Sequence, residues 1–92
     1  MKVVRRCLVS GRVQGVYYRA SAAERARAAG ITGHARNLPD GRVEVLACGT
    51  HEAVSRFIAW LWIGPTAAKV AEVVAESIEL DAAELPDRFR TG

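Results

Sequence analysis

Cysteine and histidine are scarce in this chain: Cys7, Cys48, His34 and His51 are all it has. None of them falls at a metal-ligand spacing, so no metal site is expected. No apolar run reaches the roughly 18 residues of a membrane span. The charged stretch from Met1 to Arg6 is not followed by a long apolar run, which argues against a secretory signal. A cytoplasmic location is the expectation. Two nucleotide fingerprints are also missing. No glycine loop ends in Gly-Lys-Ser/Thr, and none has the Gly-x-Gly-x-x-Gly spacing of a dinucleotide fold.

What is present is a chain of 92 residues, 50% of them hydrophobic, enough for one modest core and a single domain over residues 1–92. The net charge is +3 and the pI about 9.3. The charges are scattered, so this is only a weak pointer to anionic partners.

Val3 to Ser10 is apolar and β-branched, a strand with Arg5 and Arg6 toward its solvent end. Residues 19–29 read as a helix stopped by Gly30, with Ala22, Ala26 and Ala29 as a small-residue face. Ser21-Ala22-Ala23-Glu24 also fits a capping box, which would start that helix two residues later. Gly33 to Leu38 and the alternating Val43, Val45 and Ala47 form a hairpin around the turn Leu38-Pro39-Asp40-Gly41. Thr50 is placed to cap a second helix running to about Ile63, with Val54, Phe57, Ile58 and Leu61 as its core stripe. Trp60 sits on the shoulder of that stripe. Trp62 and Ile63 fall off it, toward either a partner surface or the Gly64-Pro65 loop. Lys69 to Leu80 is extended, Asp81 to Asp87 is a polar loop, and Phe89 closes a short last strand.

The order βαββαβ, with a terminal strand, predicts an α+β class ferredoxin-like sandwich: two helices on one face of a mostly antiparallel sheet. The first and third strands are expected to be central neighbours. If Val9 and Val43 both face the helices, parity puts Cys7 in the core and Cys48 on the open face, so the two thiols stay free.

Residues 11–19, Gly11-Arg12-Val13-Gln14-Gly15-Val16-Tyr17-Tyr18-Arg19, link the first strand to the first helix. Backbone N–H groups in such a loop can converge on one anion. The helix N-terminus adds about half a positive charge, and Arg19 adds a planar fork that fits a phosphate. Taken alone, the loop is equally compatible with a plain turn that leaves Arg19 in water.

Two segments widen the pattern. Gly11 to Arg19 resembles the first signature of the acylphosphatase family. Gly33-His34-Ala35-Arg36-Asn37, with Gly41 and Val43, resembles the second, and Gly64-Pro65, Ala68 and Val70 are also similar to that family's usual sequence. The resemblance covers nearly the whole chain. It implies a ferredoxin-like fold, hydrolysis of a carboxyl–phosphate bond, phosphate binding by Arg19 and orientation of the attacking water by Asn37. The chain departs from the family pattern at a few positions. Tyr18 stands where Phe is usual, adding a hydroxyl expected at the rim of the site. His34 replaces an aromatic or aliphatic residue and is expected on the strand surface. Ala29 and Ala35 are smaller than usual, and the last strand is weakly written.

The chemistry is coherent with these residues. An acyl phosphate leaves as a carboxylate whose acid has a pKa of about 4, so no general acid is required. What remains is positioning and charge stabilisation. The amides of Gln14, Gly15, Val16, Tyr17, Tyr18 and Arg19, with the Arg19 guanidinium, are expected to bind the substrate phosphate. Inorganic phosphate or sulfate should compete for the same place. Asn37 is neutral and offers both donor and acceptor groups. Alone it reads as a turn-entry residue. Placed opposite the anion loop, on a strand parallel to and beside the first, it can hold a water in line. The water's proton is expected to pass to the substrate phosphate. Arg12 and Arg36 would add a positive approach. No cofactor is expected, and a magnesium requirement would count against the scheme.

Rival readings share the fold. An RNA-binding sheet would need aromatic residues on its open face, where the strands place Arg6, Leu8, Glu44 and Leu46; no nucleic-acid partner is expected. A phosphate sensor without turnover has no use for Asn37. A domain cut from a larger maturation enzyme is the third reading, against which 92 residues suggest a stand-alone monomer.

Overall fold

The computed structural model describes residues 2–92. In chain order the elements are β1 (Lys2–Arg12), α1 (Tyr18–Ala28), β2 (Thr32–Asn37), β3 (Val43–Thr50), α2 (His51–Leu61), β4 (Lys69–Ser77), a short 3-10 turn (Ala82–Glu84) and β5 (Phe89–Thr91). The strands form one sheet in the order β4-β1-β3-β2-β5. All neighbours are antiparallel except β2 and β5, which run parallel. Both helices pack on the same side, α1 over β2 and β5 and α2 over β1, β3 and β4. This is the expected ferredoxin-like sandwich.

Period-two alternation builds the core. Cys7 and Val9 of β1, Val43, Val45 and Ala47 of β3, and Ala35 of β2 are fully buried beneath the helices. From α1 come Ala22, Ala23 and Ala26, whose methyl groups let the helix lie close to the sheet; from α2 come Val54, Phe57 and Leu61. Phe89 fills the β5 end, edge-on to Phe57 at 5.9 Å between ring centroids. Thr50 caps α2 as the sequence suggested, its hydroxyl accepting from Ala53 N–H at 3.1 Å.

Several expectations change. α1 begins at Tyr18, and Ser21 lies inside it instead of capping it. Ala29 is exposed past the helix end, and Ala23 takes the place expected for it in the buried face. α2 ends at Leu61 and β4 at Ser77, both earlier than expected. Asn37's strand is parallel to β1 but not beside it, because β3 lies between them. A right-handed crossover from β1 has to pass over the end of β3 before α1 can settle on β2 and β5, and that path carries the 13–17 loop toward Asn37.

Cys7 and Cys48 are both free. Cys7 is in the core, where burial pushes its thiol up to about 11. Cys48 is on the other face, as parity required, yet it is buried too. The segment carrying Ile78, Leu80 and Leu85 folds beside it together with Val4.

The open face carries an ionic cluster around Glu44, whose side chain is only 6% exposed. Its carboxylate accepts from Arg6 Nε at 2.8 Å and Arg36 Nε at 2.8 Å, and His34 Nε2 lies 2.9 Å away. Arg6 also reaches Glu76 at 3.1 Å. Burial alone would raise the Glu44 carboxyl, but the hydrogen bonds from His34, Arg6 and Arg36 outweigh it and bring the pKa down to about 2, from an ordinary 4.5. A carboxyl depressed on folding stabilises above its unfolded pKa and loses that contribution as pH falls through the folded value. Stability should therefore drop between about pH 4.5 and about pH 2 by roughly 2–3 kcal/mol. Melting temperatures across that range check this: Glu44→Gln should melt lower at neutral pH and show a flatter acid limb. An unchanged limb would remove Glu44 from the explanation.

Candidate active site

The loop between β1 and α1 is anchored from below. Val13, Val16 and Tyr18 are buried at 1%, 7% and 1% exposure, while Gly15 and Tyr17 between them face out. Each buried valine contributes about 1.5–3 kcal/mol of burial, which holds the loop backbone to one path. Gly15 has φ +74 and Tyr17 φ +62. At Gly15 the left-handed region carries no steric penalty. At Tyr17 it costs about 1–3 kcal/mol. Tyr17 is 84% exposed, so core packing by its ring does not offset that strain. Left-handed residues two positions apart give the kind of backbone in which neighbouring N–H groups can converge on an anion.

α1 starts at the lip of this cradle with no side-chain cap and no acidic residue in its first turn. The first intrahelical bond is Ser21 N–H to Tyr17 O at 3.0 Å. The N–H groups of Tyr18, Arg19 and Ala20 precede it, and they are the orphan donors that a helix N-terminus offers to an anion.

Val13, Gly15, Tyr17, Tyr18, Arg19, Ala20 and Asn37 line one open cavity of about 350 Å³. The structure thus brings Arg19 and Asn37 together with most of the loop, and no carboxylate or histidine is among the lining residues. A larger groove of about 550 Å³ runs between the helices, lined by Glu24, Arg25, Arg56 and Phe57 among others. It lacks the glycine loop, Arg19 and Asn37.

Two expected placements, the Tyr18 hydroxyl and Arg36, are revised. Gln14 and Val16 are expected to act through their backbone amides, and it is their side chains that turn away from the cavity. Val16 turns into the core. The Gln14 side chain crosses to the β2–β3 turn, where Nε2 donates to Leu38 O at 2.9 Å and Arg42 O at 3.0 Å. The Tyr18 hydroxyl is not at the rim. It donates to Leu61 O at 2.6 Å, satisfying a carbonyl at the end of α2, and the ring stacks on Trp60 at 5.9 Å. Burial, with the Cys7 sulfur nearby, pushes the Tyr18 phenol upward. Arg36 is held by Glu44 on the far face of the sheet, so it does not form an approach to the cavity. The sequence reading missed Ala20, although its place in the first turn of a helix behind a glycine loop was the available signal.

The protein is thus an α+β sandwich of the ferredoxin-like class whose uncapped helix start, arginine and neutral amide share one small cavity, a combination suited to an anion. Comparison with known proteins carries this further. The family model described as acylphosphatase matches residues 5–91. A curated relative named acylphosphatase from Chromohalobacter salexigens is 57% identical over 80% of this chain and 86% of its own length. Solved acylphosphatase structures from Coxiella burnetii and Bacillus subtilis superpose with TM-scores of 0.91 and 0.91. Their identities are 35% and 32%; the first alignment covers 99% of this chain and 93% of that one, the second 100% and 99%. The chain belongs to the acylphosphatase family. Among the described residues no helix is long and apolar enough to cross a membrane.

Proposed function

We propose that the chain hydrolyses small acyl phosphates to a carboxylate and inorganic phosphate by in-line attack of a water held by Asn37. The observation that carries this reading is the lining of the cavity at the start of α1: Gly15, Tyr17, Tyr18, Arg19 and Ala20 share it with Asn37, and no carboxylate or histidine is among its lining residues. The amides of the Gly15–Ala20 stretch and the Arg19 guanidinium bind the peripheral phosphate oxygens. They keep that charge stabilised as the phosphoryl group loosens from the leaving carboxylate. The Asn37 side-chain oxygen accepts a hydrogen bond from one water O–H and so turns the water's lone pair toward phosphorus, without competing as a nucleophile. The water's proton passes to a phosphate oxygen. The carboxylate leaves without a proton, which is why the cavity needs no general acid. The protein works as a monomer, and its two free thiols suit a reducing cytoplasm.

The substrate class tests this. An alkoxide leaving group needs protonation and a carboxylate does not, so turnover of an aryl acyl phosphate should exceed that of a phosphate monoester by at least about 10², the rate a missing general acid typically forgoes. Phosphate release measured on both substrates decides it, and comparable rates would refute the proposal.

A further inference from the structure

We propose that Gln14 is a positioning residue for Asn37, tying the anion loop to the hairpin that carries the proposed water-orienting amide. The inference deepens the reading above and rests on it. Asn37 is the last residue of β2, and β3 separates β2 from β1, where the anion loop begins. No direct strand pairing therefore sets the distance between the loop and Asn37; the sheet relates them only through Val43, which pairs with Asn37 on one side and with Val9 of β1 on the other. Gln14 supplies that link directly. Both hydrogens of its Nε2 are used, one on Leu38 O at 2.9 Å and one on Arg42 O at 3.0 Å. These two carbonyls sit at the two ends of the turn immediately after Asn37.

The turn is a stiff object to hold. Leu38 N–H donates to Arg42 O at 2.8 Å and Gly41 N–H to Leu38 O at 3.1 Å. Asp40 accepts from Arg42 N–H at 3.0 Å and from Arg42 Nε at 2.7 Å. A rigid turn held at both ends moves as one piece with the residue before it. The loop side of the link is equally fixed, because Val13 and Val16 on either side of Gln14 are buried. Among the described residues, the Gln14 amide makes the hydrogen bonds that join the loop to the turn. A side chain of the same length without N–H donors would fill the space and leave the two carbonyls unheld.

The water must sit in line with the leaving oxygen, and a displacement of about 1 Å can cost on the order of 10² in rate. The anion itself is held by the loop and α1, which do not depend on the turn. Loss of the link should then affect turnover and leave phosphate binding alone.

A double-mutant cycle between Gln14→Met and Asn37→Ala tests this, with kcat on an acyl phosphate, the inhibition constant of inorganic phosphate and the melting temperature read for each protein. Gln14→Met should lower kcat by about 10-fold or more, shift the phosphate constant by less than about 2-fold, and lower kcat no further when Asn37→Ala is already present. Gln14→Asn, one methylene too short to reach both carbonyls, should act in the same direction and serves if the Met variant fails to fold. Three results would overturn the inference: an unchanged kcat, an equal loss in both backgrounds, or a phosphate constant that rises as far as kcat falls. If Asn37→Ala costs 100-fold and Gln14→Met costs nothing, the proposed function survives and the role of Gln14 does not. If Asn37→Ala itself is silent, the water-orienting reading fails, and the Gln14 proposal fails with it.

Discussion

Arg19→Ala should lose phosphate binding and turnover together. The guanidinium stands in the first turn of α1 and lines the same cavity as the loop. Its positive charge meets phosphate oxygens that are anionic in the substrate, the transition state and the product. Ground-state affinity should therefore fall along with kcat. The transition state should suffer more, since charge accumulates on the phosphoryl oxygens and a planar bidentate donor is matched to them. Arginines in this role are worth about 10³ or more in rate, so kcat/KM should drop by at least that factor. Inorganic phosphate should cease to inhibit at concentrations that inhibit the parent. Arg19→Lys keeps the charge but not the fork, so it should recover part of the phosphate affinity and little of the rate. Steady-state kinetics with phosphate as inhibitor read all of this. An Arg19→Ala protein that is still inhibited normally would place the anion elsewhere. Arg19 forms no ion pair among the described residues, so the substitution should leave melting nearly unchanged.

Much of the fold was legible because its signals are local. The alternation of Val43, Val45 and Ala47, the Thr50 cap and the Leu38–Gly41 turn each depend on residues a few positions apart. The helix start was harder. Tyr17 adopts a left-handed conformation that a bulky residue avoids, and no propensity rule would assign a helix boundary there. The cradle demands that backbone, and the buried Val16 and Tyr18 on either side enforce it. The same holds for Tyr18. Its neighbours in sequence suggested the site rim, while its ring is fixed by Trp60 and the Leu61 carbonyl, contacts made across the chain. Glu44 read as the polar half of an alternating strand. Its partner Arg6 lies 38 residues away, and only the pairing of β1 with β3 brings them together. The motif points to Arg19 and Asn37, but the strand order that brings them to one cavity is not written locally: β3 lies between β1 and β2, and the contact of Gln14 with the Leu38 and Arg42 carbonyls spans more than twenty residues.

The role of Asn37 is the centre of the proposed mechanism, and kcat together with the phosphate inhibition constant of Asn37→Ala measures it most directly. Asn37 is exposed at the end of β2, so its removal should not disturb the core. Its amide is assigned to the water, which becomes ordered and reactive only as the phosphoryl group transfers. An interaction realised in the transition state lowers kcat when lost and leaves ground-state binding alone. The expected result is a kcat lower by at least about 10², with a phosphate inhibition constant within about 2-fold of the parent. A variant that keeps its kcat, or one whose phosphate constant rises as steeply as that of Arg19→Ala, would contradict the assignment and make Asn37 a turn residue or a direct phosphate ligand.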